Sequence, residues 1–267
     1  MKRSERNHII CEKAPVIAMI LSMLMITFII SMFSGKDSPT GYLIECGVAL
    51  LVIVAFRWWF SPGFKGCMRT EVSPGEVLVL CLPYVLRIIA DTVYTGVEND
   101  WYFEPTVKYL CMAFSAGIVE ESMFRVFSIP IGMRYLKSRH KIMIIVSFIS
   151  LVFGLMHLAN LSEGNPSMVV VQAFVTMLES IFFCAIYLRS GSIIPSMVLH
   201  GVYDWTCFVF DPTLENGILV AEMDIRIIWP ILFSLAAGIV GSYMIRPVMH
   251  EKIERIWQDK WGLTGES

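Results

Sequence analysis

Two adjacent glutamates, two later histidines and an aspartate are the residues of this chain equipped to hydrolyse a bond. Glu120 and Glu121 sit in the run Ile118–Arg125, inside one of the longest apolar stretches. A charge near the middle of a bilayer costs several kcal/mol unless paired or solvated, so three together need a reason. Residues four apart share a helix face, whereas neighbours point about 100° apart. Glu121 and Arg125 therefore stack as a pair that neutralises the arginine and braces the helix. Glu120 is left to face a cavity, where a carboxylate can act as a general base towards water. The structural alternative is a charge cluster that only holds helices together.

His157 and His200 are two of five histidines; His8, His140 and His250 fall in terminal or loop segments. Phe153 precedes His157 by four residues and sets an aromatic wall beside it. Asp204 follows His200 by four and can orient the imidazole or face the cavity itself. A single histidine in a span often does no more than hydrogen-bond across helices. Two of them with two glutamates in one bundle favour chemistry. The sequence has no H-E-x-x-H helix and no G-x-S-x-G turn. Its seven cysteines form no C-x-x-C pair, so they read as apolar packing residues.

Other charges in apolar segments read as structural. Arg87 and Asp91 fit an internal pair four residues apart, and Glu179 either partners Arg87 or supports the site. Glu45 reads as a solvated residue near a span end. Gly154, Gly191 and Gly201 permit close helix approach or a bend.

These groups have to be carried by membrane helices. Hydrophobic residues make up 56% of the 267 and charged residues 16%, against about a quarter charged in soluble domains. Mean hydropathy is +0.65. The composition implies an all-α polytopic transmembrane bundle, residues 1–267 forming one membrane domain without repeat or low-complexity segment. Eight spans are expected: Ala14–Phe33, Tyr42–Phe60, Gly75–Tyr94, Val107–Ile131, Ile142–Leu158, Ser167–Leu188, Ser192–Phe210 and Ile227–Ile245. The first is about twenty residues long with no A-x-A site behind it, which favours a retained span over a signal peptide.

Loop charges alternate in sign. Arg57/Lys65/Arg69, Arg134/Lys137/Arg139/Lys141, Arg189 and Arg246/Lys252/Arg255/Lys260 fall on one side, as does the start with Lys2, Arg3, Arg6 and Lys13. Glu98/Asp100/Glu104, Glu163 and Asp211/Glu215/Glu222/Asp224 fall on the other, with Lys36 the exception. The positive-inside rule then places both termini in the cytoplasm. Arg255–Trp261 mixes cations with two tryptophans, as a helix lying at the interface does. No basic patch with interleaved aromatics is present, so a nucleic-acid partner is not expected.

The order Glu120-Glu121-x-x-x-Arg125, Phe153-x-x-x-His157 and His200-x-x-x-Asp204 resembles the CPBP superfamily. That group comprises the CAAX-type prenyl endopeptidases and the bacterial bacteriocin-processing and self-immunity (Abi-type) membrane proteins. Gln172-Ala173-Phe174 and Tyr187 through Pro195 resemble the pattern before the family's last histidine motif. The resemblance covers roughly residues 107–210, the expected catalytic core. It implies an intramembrane endopeptidase in which Glu120, with His157, activates water. His200 and Asp204 would stabilise the oxyanion, and Glu121 and Arg125 would support the geometry. Asp204 stands where the family often has asparagine, and an ionised aspartate cannot donate a hydrogen bond. Ser180 and Cys184 replace glycines common in the family.

Two cofactor arrangements stay open. Glu120, His157 and His200 match the donor types of a zinc site with an open water position. The same residues can activate water without metal, as a glutamate–histidine dyad. Helix rise adds a tension, because His157 lies about 24 Å along a helix starting at Lys141, while Glu120, His200 and Asp204 lie nearer mid-membrane. The expected function is hydrolysis of a peptide bond in a membrane-associated peptide or protein, in a bacterial plasma membrane. A bacteriocin or pheromone leader then ranks ahead of a prenylated CAAX tail. The alternatives are a non-catalytic self-immunity or scaffold protein that binds a peptide or sensor partner, and a proton-relaying transporter.

Overall fold

The computed structural model describes residues 9–35, 37–60, 64–215, 218–219 and 222–263. Lys2, Arg3, Arg6, His8 and Lys36 lie outside the described residues. The chain forms α1 (Ile9–Lys13), α2 (Pro15–Ser31), α3 (Pro39–Phe60), α4 (Pro74–Glu98) and α5 (Val107–Glu121). A π-helical turn, Ser122–Val126, follows α5 and leads into α6 (Ser128–Tyr135). Then come α7 (Lys141–Met156), a 3-10 segment His157–Ser162, α8 (Pro166–Ser190), α9 (Ile194–Phe210), α10 (Ile228–Met244) and α11 (His250–Lys260). The all-α expectation holds, with one small exception. Leu214–Glu215 and Ile218–Leu219 form a two-residue antiparallel pair between α9 and α10.

Caps written in the sequence fix the starts of α4, α5 and α8. Ser73 accepts a hydrogen bond from Glu76 N, Thr106 from Tyr109 N and Asn165 from Ser167 N, each satisfying an orphan donor of a first turn. Pro74 and Pro166 follow two of these caps, where a missing N–H costs nothing.

Among the described residues, five stretches are long and apolar enough to cross a membrane: Pro39–Arg57, Pro74–Glu98, Lys141–Ser162, Pro166–Ser190 and Ile225–Met244. Their outward faces carry side chains such as Leu51, Leu78 and Val79, each about 70% exposed, a surface suited to acyl chains and not to water. The other three expected spans are shorter. The helix α2 has 17 residues, α9 has 17, and α5 has 15 before the π turn interrupts the expected Val107–Ile131 span. An α-helix of 17 residues rises about 26 Å, short of a 30 Å hydrocarbon core. The break follows from the charges: Glu121 ends α5, and the widened turn carries Arg125 at 0% exposure.

At the centre, α8 packs against α7 on one side and α10 on the other, while α5 and α9 pack along each other. A Cβ on Gly117 would lie 2.6 Å from Met197 O and 2.7 Å from Gly201 N, so the backbones of α5 and α9 touch because glycine stands there. A Cβ on Gly154 would lie 2.5 Å from Ala173 O, bringing α7 equally close to α8. Those two contacts bring together the helices that carry Glu120, Glu121, His157, His200 and Asp204.

The loops expected on the basic side do come together. Glu71 lies within 3.9 Å of Lys65, Arg69 and Lys260, and Glu76 pairs with Arg189 and Lys252. The tail, expected as a helix at the interface, turns its apolar face to protein. Ile253, Ile256 and Trp257 of α11 are buried against protein, and Trp257 Nε1 donates to Leu188 O at 3.2 Å. The helix docks on the end of α8, which supplies the apolar surface the tail was expected to find in lipid.

Candidate active site

Glu120 and Glu121 end α5, and His200 and Asp204 lie on successive turns of α9 facing them across the Gly117 contact. Glu121 is wholly buried. Its Oε1 accepts hydrogen bonds from Arg125 Nη1 at 2.5 Å and from His200 Nδ1 at 3.2 Å. Arg125, also wholly buried, donates through Nη2 to Ser180 Oγ at 2.6 Å, and its guanidinium carbon lies 4.6 Å from the centre of the Phe153 ring. The pair expected from the four-residue spacing is therefore present, tied to α8 by a serine and to α7 by an aromatic face.

With Nδ1 held by Glu121, the His200 ring presents Nε2 to the remaining carboxylates. Asp204 Oδ2 is 3.5 Å away and Glu120 Oε2 3.7 Å. Phe183 stacks on the ring at a centroid distance of 5.3 Å and an angle of 16°. Imidazole position and tilt are thus fixed from three helices. Glu120 is the most accessible of these groups, with its side chain 31% exposed, and it lines the cavity as expected from its place one residue off the Glu121–Arg125 face.

His157 arrives from α7. The helix unwinds into a 3-10 turn at this residue, and Nδ1 lies 2.9 Å from Phe153 O and 3.5 Å from Thr176 Oγ1. A carbonyl only accepts, so Nδ1 carries a proton and Nε2 of the neutral ring keeps the lone pair. Phe153 stands between the two histidines, 4.9 Å from the His157 ring centre and 6.2 Å from that of His200. No hydrogen bond among the described residues joins His157 to Glu120, His200 or Asp204. They meet instead across a cavity of about 520 Å³ that all four line.

Arg87 does not pair with Asp91 on its own helix, which corrects the expectation of an internal bridge. It turns across to α8 and bonds Glu179, with Tyr203 Oη at 3.0 Å and Ser234 Oγ at 3.3 Å. Tyr84 Oη and Ser234 Oγ also donate to Glu179, at 2.9 and 2.6 Å. This buried knot joins α4, α8, α9 and α10, the structural role assigned to Glu179. The better partner wins because Glu179 accepts from two hydroxyls besides the guanidinium. Glu45 is half-buried, not merely solvated, and bonds Ser34 and Ser115.

Ser180, Thr176 and Phe183 were missed as site residues. Serine and threonine on an apolar helix carry no sequence signal that distinguishes a second-layer hydrogen bond from a packing position. Among the described residues no three His, Cys, Asp or Glu groups converge as a metal-ligand set.

Residues 102–206 match the family described as type II CAAX prenyl endopeptidase, Rce1-like. The matched segment contains Glu120, Glu121, Arg125, His157, His200 and Asp204, so the resemblance read from the motifs is borne out over the site. No curated protein and no solved structure matches the chain.

Proposed function

We propose that the chain is an intramembrane endopeptidase of the CAAX-protease type, cutting a membrane-associated peptide or protein. The observation that carries this reading is the arrangement of Glu120, His157, His200 and Asp204 around one cavity, with Glu121 and Arg125 buried behind them. A charge pair needed only for packing would not hold a histidine against a water-accessible glutamate.

Water held between Glu120 and His157 Nε2 gives a proton to Glu120 as its oxygen attacks the scissile carbonyl carbon. The carbonyl π pair moves to oxygen, and an N–H at His200 Nε2 donates to the resulting oxyanion. Asp204, lying 3.5 Å from that nitrogen, acts by positioning the ring. Collapse re-forms the carbonyl and breaks the C–N bond, and the proton held by Glu120 passes to the departing amine. All these steps use the chain's own groups.

The test is cleavage of membrane-anchored peptides by purified protein, wild type beside Glu120→Gln and His157→Ala, with and without a chelator. Cleavage lost in both variants while both stay folded supports the reading. Loss on chelation would add a metal to it. A folded wild type that cuts nothing across a broad peptide library would overturn it in favour of a peptide-binding immunity or scaffold protein.

A further inference from the structure

The cavity is open at one end of the bundle and sealed at the other. The helix α4 lines it only from Asp91 onward, and α9 only from His200 onward. The helix α8 lines it from Met168 to Phe183, after which Cys184 through Leu188 are wholly buried. Beyond α9 the lining runs on to Asp224 and Arg226, whose side chains are about half exposed. The mouth is therefore at the end where α4, α7 and α9 finish and where α5, α8 and α10 begin.

At the opposite end, separate segments are knitted together. Ile193 N donates to Cys67 O at 2.9 Å, Ser192 Oγ to Met68 O at 2.6 Å, and Lys65 N to Lys260 O at 2.8 Å. Cys67, Ser192 and Lys260 are buried there. No described residue of the loops α3–α4, α6–α7, α8–α9 or α10–α11 lines the cavity.

The sealed end is also the cationic one. Its loops hold the lysines and arginines of residues 57–69, 134–141, 189 and 246–260. At the mouth end the cations among the described residues are Lys108 and Arg226, met by Asp37 at 2.7 Å and Asp224 at 2.9 Å. Lysine and arginine near span ends are retained on the cytoplasmic side. Trp101, Phe103 and Trp229, each at least half exposed, stand at the mouth end, as aromatic side chains at headgroup level do.

We propose that the cavity opens to the extracytoplasmic side and takes an extended juxtamembrane segment of a membrane-anchored peptide or protein from the outer face. The substrate class rests on the endopeptidase reading; the side of opening does not. His200 lies ten residues before the end of α9, and Glu120 thirteen after the start of α5. That is about 15–20 Å of helix rise below the mouth. An extended chain covers about 3.3 Å per residue, so five or six residues must thread in before a bond reaches Glu120. A cavity of about 520 Å³ admits such a strand and not a folded domain. A peptide displayed in the cytoplasm meets the sealed end instead.

The experiment maps cysteine accessibility in the full chain, expressed in a bacterial plasma membrane. Cys207, the native cysteine that lines the cavity, is replaced by serine. Val175→Cys and Thr95→Cys, on separate helices and outside the catalytic groups, probe the cavity. Glu163→Cys and Lys137→Cys mark exposed loop positions at the mouth end and the sealed end. A charged thiol reagent, which does not cross the hydrocarbon, is added to spheroplasts or to inverted vesicles. Both cavity cysteines and Glu163→Cys are expected to react in spheroplasts alone, and Lys137→Cys in inverted vesicles alone. Cavity cysteines that react from the Lys137→Cys side, or from neither side while the loop positions label as expected, would overturn the proposal.

A second arm uses single-span reporters carrying one peptide library on either the outer or the inner flank of the span. Cleavage of outer-flank reporters alone, lost in Glu120→Gln, is the expected result. Cleavage of inner-flank reporters alone would overturn the proposal and leave the endopeptidase standing. Cavity labelling from outside with neither reporter cut would leave the side of opening standing and remove the endopeptidase.

Discussion

His200 Nδ1 lies 3.2 Å from Glu121 Oε1, the same oxygen that accepts Arg125 Nη1 at 2.5 Å. One buried carboxylate atom therefore compensates an arginine and sets the orientation of the histidine that faces Glu120. The two neighbouring glutamates should fail in different ways. Glu121→Gln leaves Arg125 charged in the interior without a counter-ion, and breaking such a pair typically costs 3–5 kcal/mol, roughly. Glu120→Gln, at a cavity-lining position, should keep the folded state and lower cleavage by about 10²–10⁴-fold as the general base is lost. Thermal unfolding beside peptide cleavage separates the two. Equal melting points for both variants would show that Glu121 is not the structural member of the pair.

Gly117 decides how near the two halves of the site stand. Its hypothetical Cβ meets the backbone of Met197 and Gly201 below 3.0 Å, and backbone cannot yield as a side-chain tip does. Gly117→Val should push α5 off α9, destabilise the protein by about 1–3 kcal/mol and draw both glutamates away from His200. Stability and cleavage should fall together, whereas Gly47→Ala, with open space around the added carbon, should change neither. A Gly117→Val protein with unaltered cleavage would mean that the helix contact does not set the site.

The four-residue spacings made the Glu121–Arg125 and His200–Asp204 relations legible before any coordinates, because helix periodicity alone puts those side chains on one face. Apolar runs located the helices α5, α7, α8 and α9 that carry the site. What periodicity does not encode is choice among partners on different helices. Arg87 had Asp91 within reach along α4, yet Glu179 is held by two hydroxyls that come from α4 and α10, far away in sequence. The π turn was equally invisible, since it arises where two buried charges must reach α8 and α9 at once. Docking of the tail on α8 was not legible for a related reason: a helix with one apolar face looks the same whether lipid or protein covers it.

The Arg87–Glu179 knot makes a prediction of its own. Removing one partner leaves a buried charge beside orphaned hydroxyls, so Arg87→Met and Glu179→Leu should each cost on the order of 3–5 kcal/mol. Replacing both together removes the uncompensated charge, and the double variant should be more stable than either single one. Unfolding measured across this double-mutant cycle gives the coupling directly. Additive losses would mean that the two side chains do not act as a pair and that Glu179 has another role in the cavity it lines.

Lys260, at the end of α11, predicts a pH dependence away from the site. It is 0% exposed, donates to Arg69 O at 2.7 Å and has Glu71 no nearer than 3.9 Å. Burial pushes its pKa down to about 8. An unfolded lysine keeps its proton to about pH 10.4. Below pH 8 both states are protonated and the burial penalty is fully present; between about pH 8 and pH 10.4 the folded state has released a proton that the unfolded state still holds, so stability rises with pH. The shift amounts to roughly 3 kcal/mol over that window. Lys260→Met has no such group to titrate. The stability difference between wild type and variant, followed by unfolding and by proteolysis at the α11 docking site, should therefore move towards wild type as pH rises from 8 to about 10.4. A difference that stays flat would show that the ammonium reaches water in the folded protein and that α11 docks more loosely than its buried face indicates.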